Sequence, residues 1–414
     1  MRVIIVGAGI GGLATALSLH KTGFTDVTLL ESAAEIQPLG VGINLLPHAV
    51  RELTELGLDA ELESIGVRTN SLRYVNEFGS TIWSETRGIA AGYEWPQYSI
   101  HRGLLQVMLA DKVRERLGTQ AIVTGARVIS VDTDGVSGTV TTALGTFTGD
   151  VVVAADGIRS TVRAQWHPLE GDPIWNHQVM WRGTTRTKPF LDAHTMIMAG
   201  HMQKKFVAYP ISPVGADGMQ LINWIAEQTD PTAEDLQHNW NREVHTSRFA
   251  FLFASWNFDW LNVPGLIAQT DSVYEYPMSD RDPLNNWIDG RVVLLGDAAH
   301  PTFPIGSNGS SQAIIDSRVL AYALATMPND EALAFYQHER LPKTTALQQA
   351  NRQMGPEAIL QLAHERAPHG FTAIHDVIPQ EELEQVASHY KVVAGFDPRA
   401  LSIRPSWDAP TNFR

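Results

Sequence analysis

Three short stretches of this chain combine glycine with an acidic side chain at spacings that suit a phosphorylated, sugar-bearing ligand. The first is Gly7-Ala8-Gly9-Ile10-Gly11-Gly12, a GxGxxG, with Glu31 downstream. In such a motif Gly7 serves a tight turn, Gly9 the close approach of a pyrophosphate and Gly12 close helix–strand contact. An acidic residue ~20 positions on suits ribose hydroxyls. The second is Asp156-Gly157, at the end of the almost wholly apolar run 150–155. The third is Gly296-Asp297, followed by Pro304, Gly306, Ser307, Asn308, Gly309 and Ser310. There Gly306 and Gly309 admit a ligand close to the backbone, and Asp297 can accept hydrogen bonds from sugar hydroxyls. A loop that opens a helix leaves the first helical N–H groups unpaired, with the positive end of the dipole behind them. An anion is favoured there.

The elements around these stretches read as strand–loop–helix units. Residues 2–6 form a buried strand, 13–20 a helix and 26–30 a second strand closing on Glu31. The third stretch lies between a strand at 291–295 and a helix at 311–324. Residues 39–47, with Gly40 and Gly42, form another glycine-spaced loop before a helix at 48–56. Asn44 and His48 are polar residues in this apolar setting, either a loop amide and a helix-start imidazole or neighbours of a bound ring. Arg102 precedes a helix at 104–117. A cation is unfavourable at a helix N-terminus unless an anion compensates it, so Arg102 is a candidate phosphate contact, with a surface ion pair as the alternative. Residues 128–142 alternate like a hairpin.

From 173 to 278 the character changes to strands at 179–187, 196–200, 206–210, 221–226 and 272–277, with a helix pattern at 232–251. Period-two alternation puts Ile222 and Trp224 on one face and Leu221, Asn223 and Ile225 on the other; which face meets a ligand stays open. A long amphipathic helix is expected at 331–352, with Asp330 as N-cap and a kink or break at Pro342. Shorter helices follow at 358–365 and 380–390, and the tail 396–414 wraps or frays. The fold class is α/β: a Rossmann-like domain in two parts, 1–172 and 279–330, an inserted, mostly antiparallel β-sheet substrate domain at 173–278, and C-terminal helices at 331–414.

Composition narrows the possibilities. With 414 residues, 44% of them hydrophobic and 18% charged, the chain can build two sizeable cores. A net charge of −14 argues against nucleic acid or an anionic membrane as partner. No apolar run approaches the ~18 residues of a membrane span. The chain has no cysteine, which excludes disulfides, thiolate metal sites and cysteine nucleophiles, and fits a reducing, cytoplasmic setting. The apolar start at 1–19 reads as strand and helix, its spaced glycines and lack of a cleavage pattern arguing against a signal peptide. His364-Glu365 with His369 has the wrong spacing for a zinc-protease motif and contains Pro368, so no metal is expected. Asn308-Gly309-Ser310 is formally a glycosylation sequon but lies inside the ligand loop.

In order and spacing, the three stretches resemble the fingerprints of the single-component flavoprotein aromatic hydroxylases, the p-hydroxybenzoate hydroxylase type, over roughly the first 320 residues. Trp181-Arg182-Gly183, Ala208-Tyr209-Pro210-Ile211-Ser212, Asp280-Arg281-Asp282-Pro283 and Gly306-Ser307-Asn308-Gly309-Ser310-Ser311-Gln312-Ala313 look most like the methylphenazine-carboxylate monooxygenase subgroup. The resemblance implies non-covalent FAD, with Gly7, Gly9, Gly12 and Glu31 on its ADP half and Arg102 and Asp156 near the pyrophosphate. Asp297 would meet the ribityl chain or pyrophosphate, and Pro304, Gly306, Ser307, Asn308, Gly309 and Ser310 would lie along the isoalloxazine. Ser32, Val41, Gly42 and Val128 are implied as further cofactor contacts.

The resemblance also implies NADH or NADPH as a transient co-substrate, in keeping with a single GxGxxG. Oxygen would pass from a flavin C4a-hydroperoxide to an electron-rich aromatic or N-heteroaromatic small molecule, in a pocket that excludes water. Pro304, Tyr209 and His201 are the catalytic candidates, with His48 a further titratable group, and Asn44, Tyr209, Trp224 and Pro304 the substrate-binding ones. The partners are then the aromatic substrate, O2 and NAD(P)H, with the chain a monomer or homodimer. The alternatives are another FAD-dependent oxidoreductase and a flavin-binding protein without turnover. Asn223-Trp224-Ile225 does not match a halogenase WxWxIP, and the second nucleotide fingerprint of a Baeyer–Villiger enzyme is not visible.

Overall fold

The computed structural model describes residues 1–230 and 242–409. One layer is a six-stranded sheet in the order Ile288–Asp289, Val292–Leu294, Val151–Ala154, Val3–Val6, Val27–Leu30 and Ile122–Val123. All neighbours are parallel except the first pair. The central strands, Val-Ile-Ile-Val and Val-Val-Val-Ala, are wholly buried, as a parallel sheet covered on both faces requires. Helices Ile10–Lys21 and Gly309–Thr326 pack together closely enough for Ser18 Oγ to lie 3.3 Å from Ser317 Oγ.

Strand register aligns the ends of this sheet. Val6 pairs with both Leu30 and Ala154, and Ala154 with Leu294. Four strand ends therefore stand side by side, and the chain leaving three of them, at Gly7, Asp156 and Gly296, emerges along one edge.

The second layer is an eight-stranded sheet ordered Arg242–Val244, Val273–Asp280, Ile174–Thr187, Gln220–Thr229, Lys204–Pro210, Thr195–His201, Ser71–Val75 and Thr81–Thr86. Its one parallel pair joins Thr195–His201 to Ser71–Val75. Two of these strands come from the first 172 residues. Alternation commits the faces: Phe206, Ile222 and Trp224 enter one core with Phe249, Phe253 and Trp256, while Met196, Met198, Val207 and Tyr209 face the other way.

Three expectations are corrected. Of the helix expected at 232–251, residues up to 241 lie outside the described residues; beyond them stand the edge strand Arg242–Val244 and two short 3-10 turns, Thr246–Arg248 and Ala250–Phe253. Tertiary contacts override the helical pattern there. Arg242 and Arg248 both pair with the buried carboxylate of Glu275, at 2.5 and 3.0 Å, while Phe249 and Phe253 turn into the core. The long C-terminal helix, Asn329–Arg352, runs unbroken through Pro342. Buried contacts on both sides of Pro342, by Arg340, Thr344 and Leu347, hold it as one element. Asp330 sits in its first turn and pairs with Arg291 at 2.8 Å instead of capping it. The tail wraps: Phe396 and Leu401 are buried, and Arg51 donates to the Leu401 carbonyl at 2.9 Å.

Candidate active site

The fingerprint loop leaves strand Val3–Val6 and opens helix Ile10–Lys21, whose N-terminus carries no side-chain cap. Its glycines differ in what surrounds them. A Cβ on Gly12 would collide with the Gly7 carbonyl, so Gly12 permits close packing, whereas a Cβ on Gly9 would meet nothing within 4 Å. Gly9 thus borders open space at the uncapped helix end, where an anion is favoured. Glu31 accepts from the N–H groups of Ala8 and Ala33 at 2.9 and 2.7 Å, and from the Ser32 hydroxyl at 3.1 Å. It braces the loop and keeps lone-pair capacity for a hydroxyl.

Asp156 follows the adjacent strand end. Its Oδ2 accepts from the Thr161 N–H at 2.7 Å, while its Oδ1 is buried without a protein partner. Burial raises its pKa. A buried carboxylate oxygen without a partner calls for a donor, which a ligand can supply. Asp297, after the third strand, lines the neighbouring cavity together with Arg102; the surrounding protein raises the Asp297 pKa, with His300 and Arg102 opposing. Arg102 itself is held below the usual guanidinium range by its surroundings and by Arg182. Gly9, Asp156 and Asp297 therefore stand along one strand-end edge, and their chemistry fits a dinucleotide. Val128 is packed in the α/β core, so only its backbone is available to a ligand.

The loop that continues to helix Gly309–Thr326 is tightly constrained. Gly306 and Ser307 have φ of +67° and +55°, and a Cβ on Gly306 would collide with the Tyr390 hydroxyl. Helix Gly309–Thr326 starts after Asn308 without a side-chain cap, and Ser307, Asn308, Gly309 and Ser310 at this uncapped end line the cavity. A buried network clamps both ends of this loop. At one end Asn308 Oδ1 accepts from Gln312 at 3.1 Å and lies 3.1 Å from His48 Nε2; at the other His300 Nε2 lies 2.5 Å from Asp316 Oδ2. Arg340 joins the two, donating to Asp316 Oδ1 at 2.6 Å and to Gln312 Oε1 at 2.5 Å. Burial alone would raise Asp316, but His300 and Arg340 outweigh it and hold the carboxyl below its ordinary range. Burial, reinforced by Arg404, drives His48 down to about 3, so this imidazole is neutral. Sequence reasoning gave no role to Gln312, Asp316 or Arg340. Their one local signal is a glutamine and an aspartate four apart within an apolar helical run, on the same face.

Between this loop and the second sheet lies a cavity of about 240 Å3. Met180, Met196, Met198, Val207 and Ile225 form an apolar wall; Asn44, Tyr209, Arg182 and Glu227 supply its polar groups, and Pro304 closes the loop side. Burial pushes the Tyr209 phenol up to about 12, opposed by Arg182 beside it. Arg182 donates to the Gly42 carbonyl at 3.0 Å, and Gly42 N–H donates to Asn223 Oδ1 at 2.6 Å. Asn44 is buried and accepts from the Ser99 hydroxyl at 2.6 Å. The Val41 carbonyl accepts from the Arg102 N–H at 2.9 Å. Deeper in, Lys205 Nζ lies 2.9 Å from Glu227 and also bonds Glu357. Burial raises Glu227, with Lys205 pulling it down and Glu357 pushing it up.

Two sequence-derived candidates fall elsewhere. Trp224 is wholly buried on the opposite face of its strand, its indole donating to Thr185 and Thr270 at 3.0 and 2.9 Å. Its neighbour Ile225 points to the cavity instead, because successive side chains alternate. His201 does not line the cavity: it ends its strand, stacked on His364 with centroids 3.9 Å apart.

A mostly parallel sheet whose strand ends lead into Gly7, Asp156 and Gly296, beside the cavity, is the arrangement of a dinucleotide-binding fold. Residues 1–351 match the FAD binding domain family, and the chain belongs to it. It is 44% identical over 366 residues to the phenazine 1,6-dicarboxylic acid hydroxylase PhzS of Lysobacter antibioticus, covering 84% of this chain and 89% of that one. It is 32% identical over 354 residues to the aurachin C monooxygenase/isomerase of Stigmatella aurantiaca, covering 83% and 86%. In fold it is similar to Klebsiella pneumoniae HpxO complexed with FAD and uric acid, with a TM-score of 0.74 at 23% identity over 98% of this chain and 97% of that one. The chain is an FAD-dependent aromatic hydroxylase.

Proposed function

We propose that this enzyme uses NADH or NADPH and O2 to hydroxylate a carboxylated polycyclic N-heteroaromatic of the phenazine kind. The observation that carries the reading is the cavity itself: a methionine-rich wall opposite the Pro304 loop, with Arg182 and Arg102 on its lining. Methionine side chains adapt to a flat ring system, and a guanidinium matches a carboxylate. The 44% identity to a phenazine dicarboxylate hydroxylase supports the same substrate class.

Bound FAD supplies the redox chemistry, taking electrons from the nicotinamide and activating O2. The protein's part is placement and proton handling. Gly9 and the uncapped start of helix Ile10–Lys21 would receive the pyrophosphate, and the free Asp156 Oδ1 and Asp297 would accept hydroxyl hydrogen bonds. The unpaired N–H groups at the start of helix Gly309–Thr326 would steady negative charge on the ring, a contribution of ~3 kcal/mol per well-placed donor. Tyr209, a phenol that stays protonated in its buried position, would donate to the substrate. Glu227 would accept the proton released when the hydroxylated carbon regains aromaticity. The apolar wall excludes water, which favours oxygen transfer over release as H2O2. We place the enzyme in the cytoplasm, as its cysteine-free, acidic sequence suits, acting as a monomer or homodimer.

The test is NAD(P)H oxidation by the FAD-loaded enzyme with phenazine-1,6-dicarboxylate, read together with mass spectrometry of the product. Substrate-stimulated oxidation with a product one oxygen atom heavier is expected. Oxidation indifferent to the phenazine, with no oxygenated product, would overturn the substrate assignment.

A further inference from the structure

Away from the cavity, three ligating side chains meet that the hydroxylation does not use. Glu77 lies in the turn between strands Ser71–Val75 and Thr81–Thr86, His201 ends strand Thr195–His201, and His364 sits in helix Ala358–Arg366. One ligand atom from each lies within 4.8 Å of the other two, and all three residues are half-buried. The two imidazoles stack at 15° with centroids 3.9 Å apart.

A second observation bears on His201. Its Nδ1 lies 2.7 Å from the Gln203 side-chain carbonyl. An N–H donated there fixes the tautomer and leaves the Nε2 lone pair unused, the arrangement by which ligating histidines are held ready for a metal. The neighbouring cation does not fill the place: Lys204 Nζ is 3.7 Å from Glu77, beyond hydrogen-bond distance, and lies over the Trp256 ring at 5.1 Å.

We propose that Glu77, His201 and His364 form a site for a divalent transition metal, Zn2+ by ligand type, with three protein ligands and one position open to water. Two imidazoles and a carboxylate form a donor set of the kind zinc takes, at bond lengths of about 2 Å. Tetrahedral ligands at that length stand roughly 3.3 Å apart, so binding requires the half-buried side chains to rotate and the two stacked rings to turn until both lone pairs aim at one point. The site belongs to neither the sequence-adjacent His364-Glu365 pair nor His369; its ligands come from three segments joined by the fold.

Occupancy has a structural consequence. Helix Ala358–Arg366 begins directly after Glu357, which lines the cavity and whose carboxylate bonds Lys205. The helix is already docked on the His201 hairpin by the Met202 N–H, which donates to Gln361 at 3.2 Å. Zinc would pin the same contact and stabilise the wall that carries Glu357, because a ligand bound only by the native state raises its stability.

The experiment is calorimetric titration of chelator-treated, FAD-loaded enzyme with ZnCl2, alongside thermal denaturation and native mass spectrometry. One Zn2+ per chain and a raised thermal midpoint are expected, with affinity falling at least ~10-fold in both His201→Ala and His364→Ala. Unchanged flavin content in the two variants shows that they are folded. Absence of zinc binding by the parent enzyme, or binding undiminished in both folded variants, would overturn the site.

Discussion

Tyr209 and Trp224 show how much one residue's placement decides. Both are aromatic, buried and on neighbouring strands, paired through Ala208 with Trp224 and Tyr209 with Asn223. Tyr209 lines the cavity, and Trp224 is enclosed with Phe206 and Phe249 behind it. Removing the Tyr209 hydroxyl should therefore act on chemistry: Tyr209→Phe is expected to lower product formation roughly 100-fold while keeping its FAD. A loss under about twofold in steady-state assays would remove the phenol from proton handling. Trp224→Phe should act on stability. It leaves Thr185 and Thr270 without their indole donor and opens a gap, at a cost of ~2 kcal/mol in denaturant unfolding, with KM for the aromatic substrate unchanged.

Helix Gly309–Thr326 and its entry loop are positioned by a clamp remote in sequence. His48 comes from helix Pro47–Glu55, and Arg340 from helix Asn329–Arg352. Both reach the loop only because these elements pack against the same helix. The clamp carries a pH dependence through His48, whose folded-state value of about 3 lies below its ordinary 6.5. Between those values the unfolded chain binds more protons than the native one, so stability is full above pH 6.5 and declines as pH falls toward 3. Thermal midpoints measured over that range should fall on acidification, and His48→Gln, which cannot take up the proton, should flatten part of the slope. An identical slope in the variant would assign the acid sensitivity to other groups.

Across the whole molecule, the binding site is a product of sheet register. In the proposed binding site, Gly9 and Gly12 would separate ligand binding from folding within one loop. Gly9→Ala meets no neighbour within 4 Å, so the fold should survive while the methyl group crowds the ligand, with FAD affinity lowered ~10-fold or more. Gly12→Ala strikes the Gly7 carbonyl and should cost ~1–3 kcal/mol with or without cofactor. Thermal denaturation distinguishes them. FAD at a hundred times its Kd should stabilise the parent by about 2.7 kcal/mol, and the same concentration should stabilise Gly9→Ala less. For Gly12→Ala the cofactor-free baseline itself should drop. Equal responses in the two variants would contradict the separate roles assigned to these glycines.

What the sequence determined by itself is local. The GxGxxG between strand and helix, the strand-end aspartates and the alternation of Leu221, Asn223 and Ile225 against Ile222 and Trp224 are set by backbone sterics and side-chain period, which act over a few residues. The family resemblance rested on those same stretches. The tertiary structure decided which face of the second sheet meets the cavity, since alternation pairs the faces without saying what covers each. It decided that His201 stands with His364 and Glu77, and that Asn308 is held by His48 and Gln312. It also turned residues after 241 from an expected helix into an edge strand, because two arginines there find Glu275. Burial, charge pairing and the joining of strand ends depend on residues brought together from distant parts of the chain, and no local pattern records those partners.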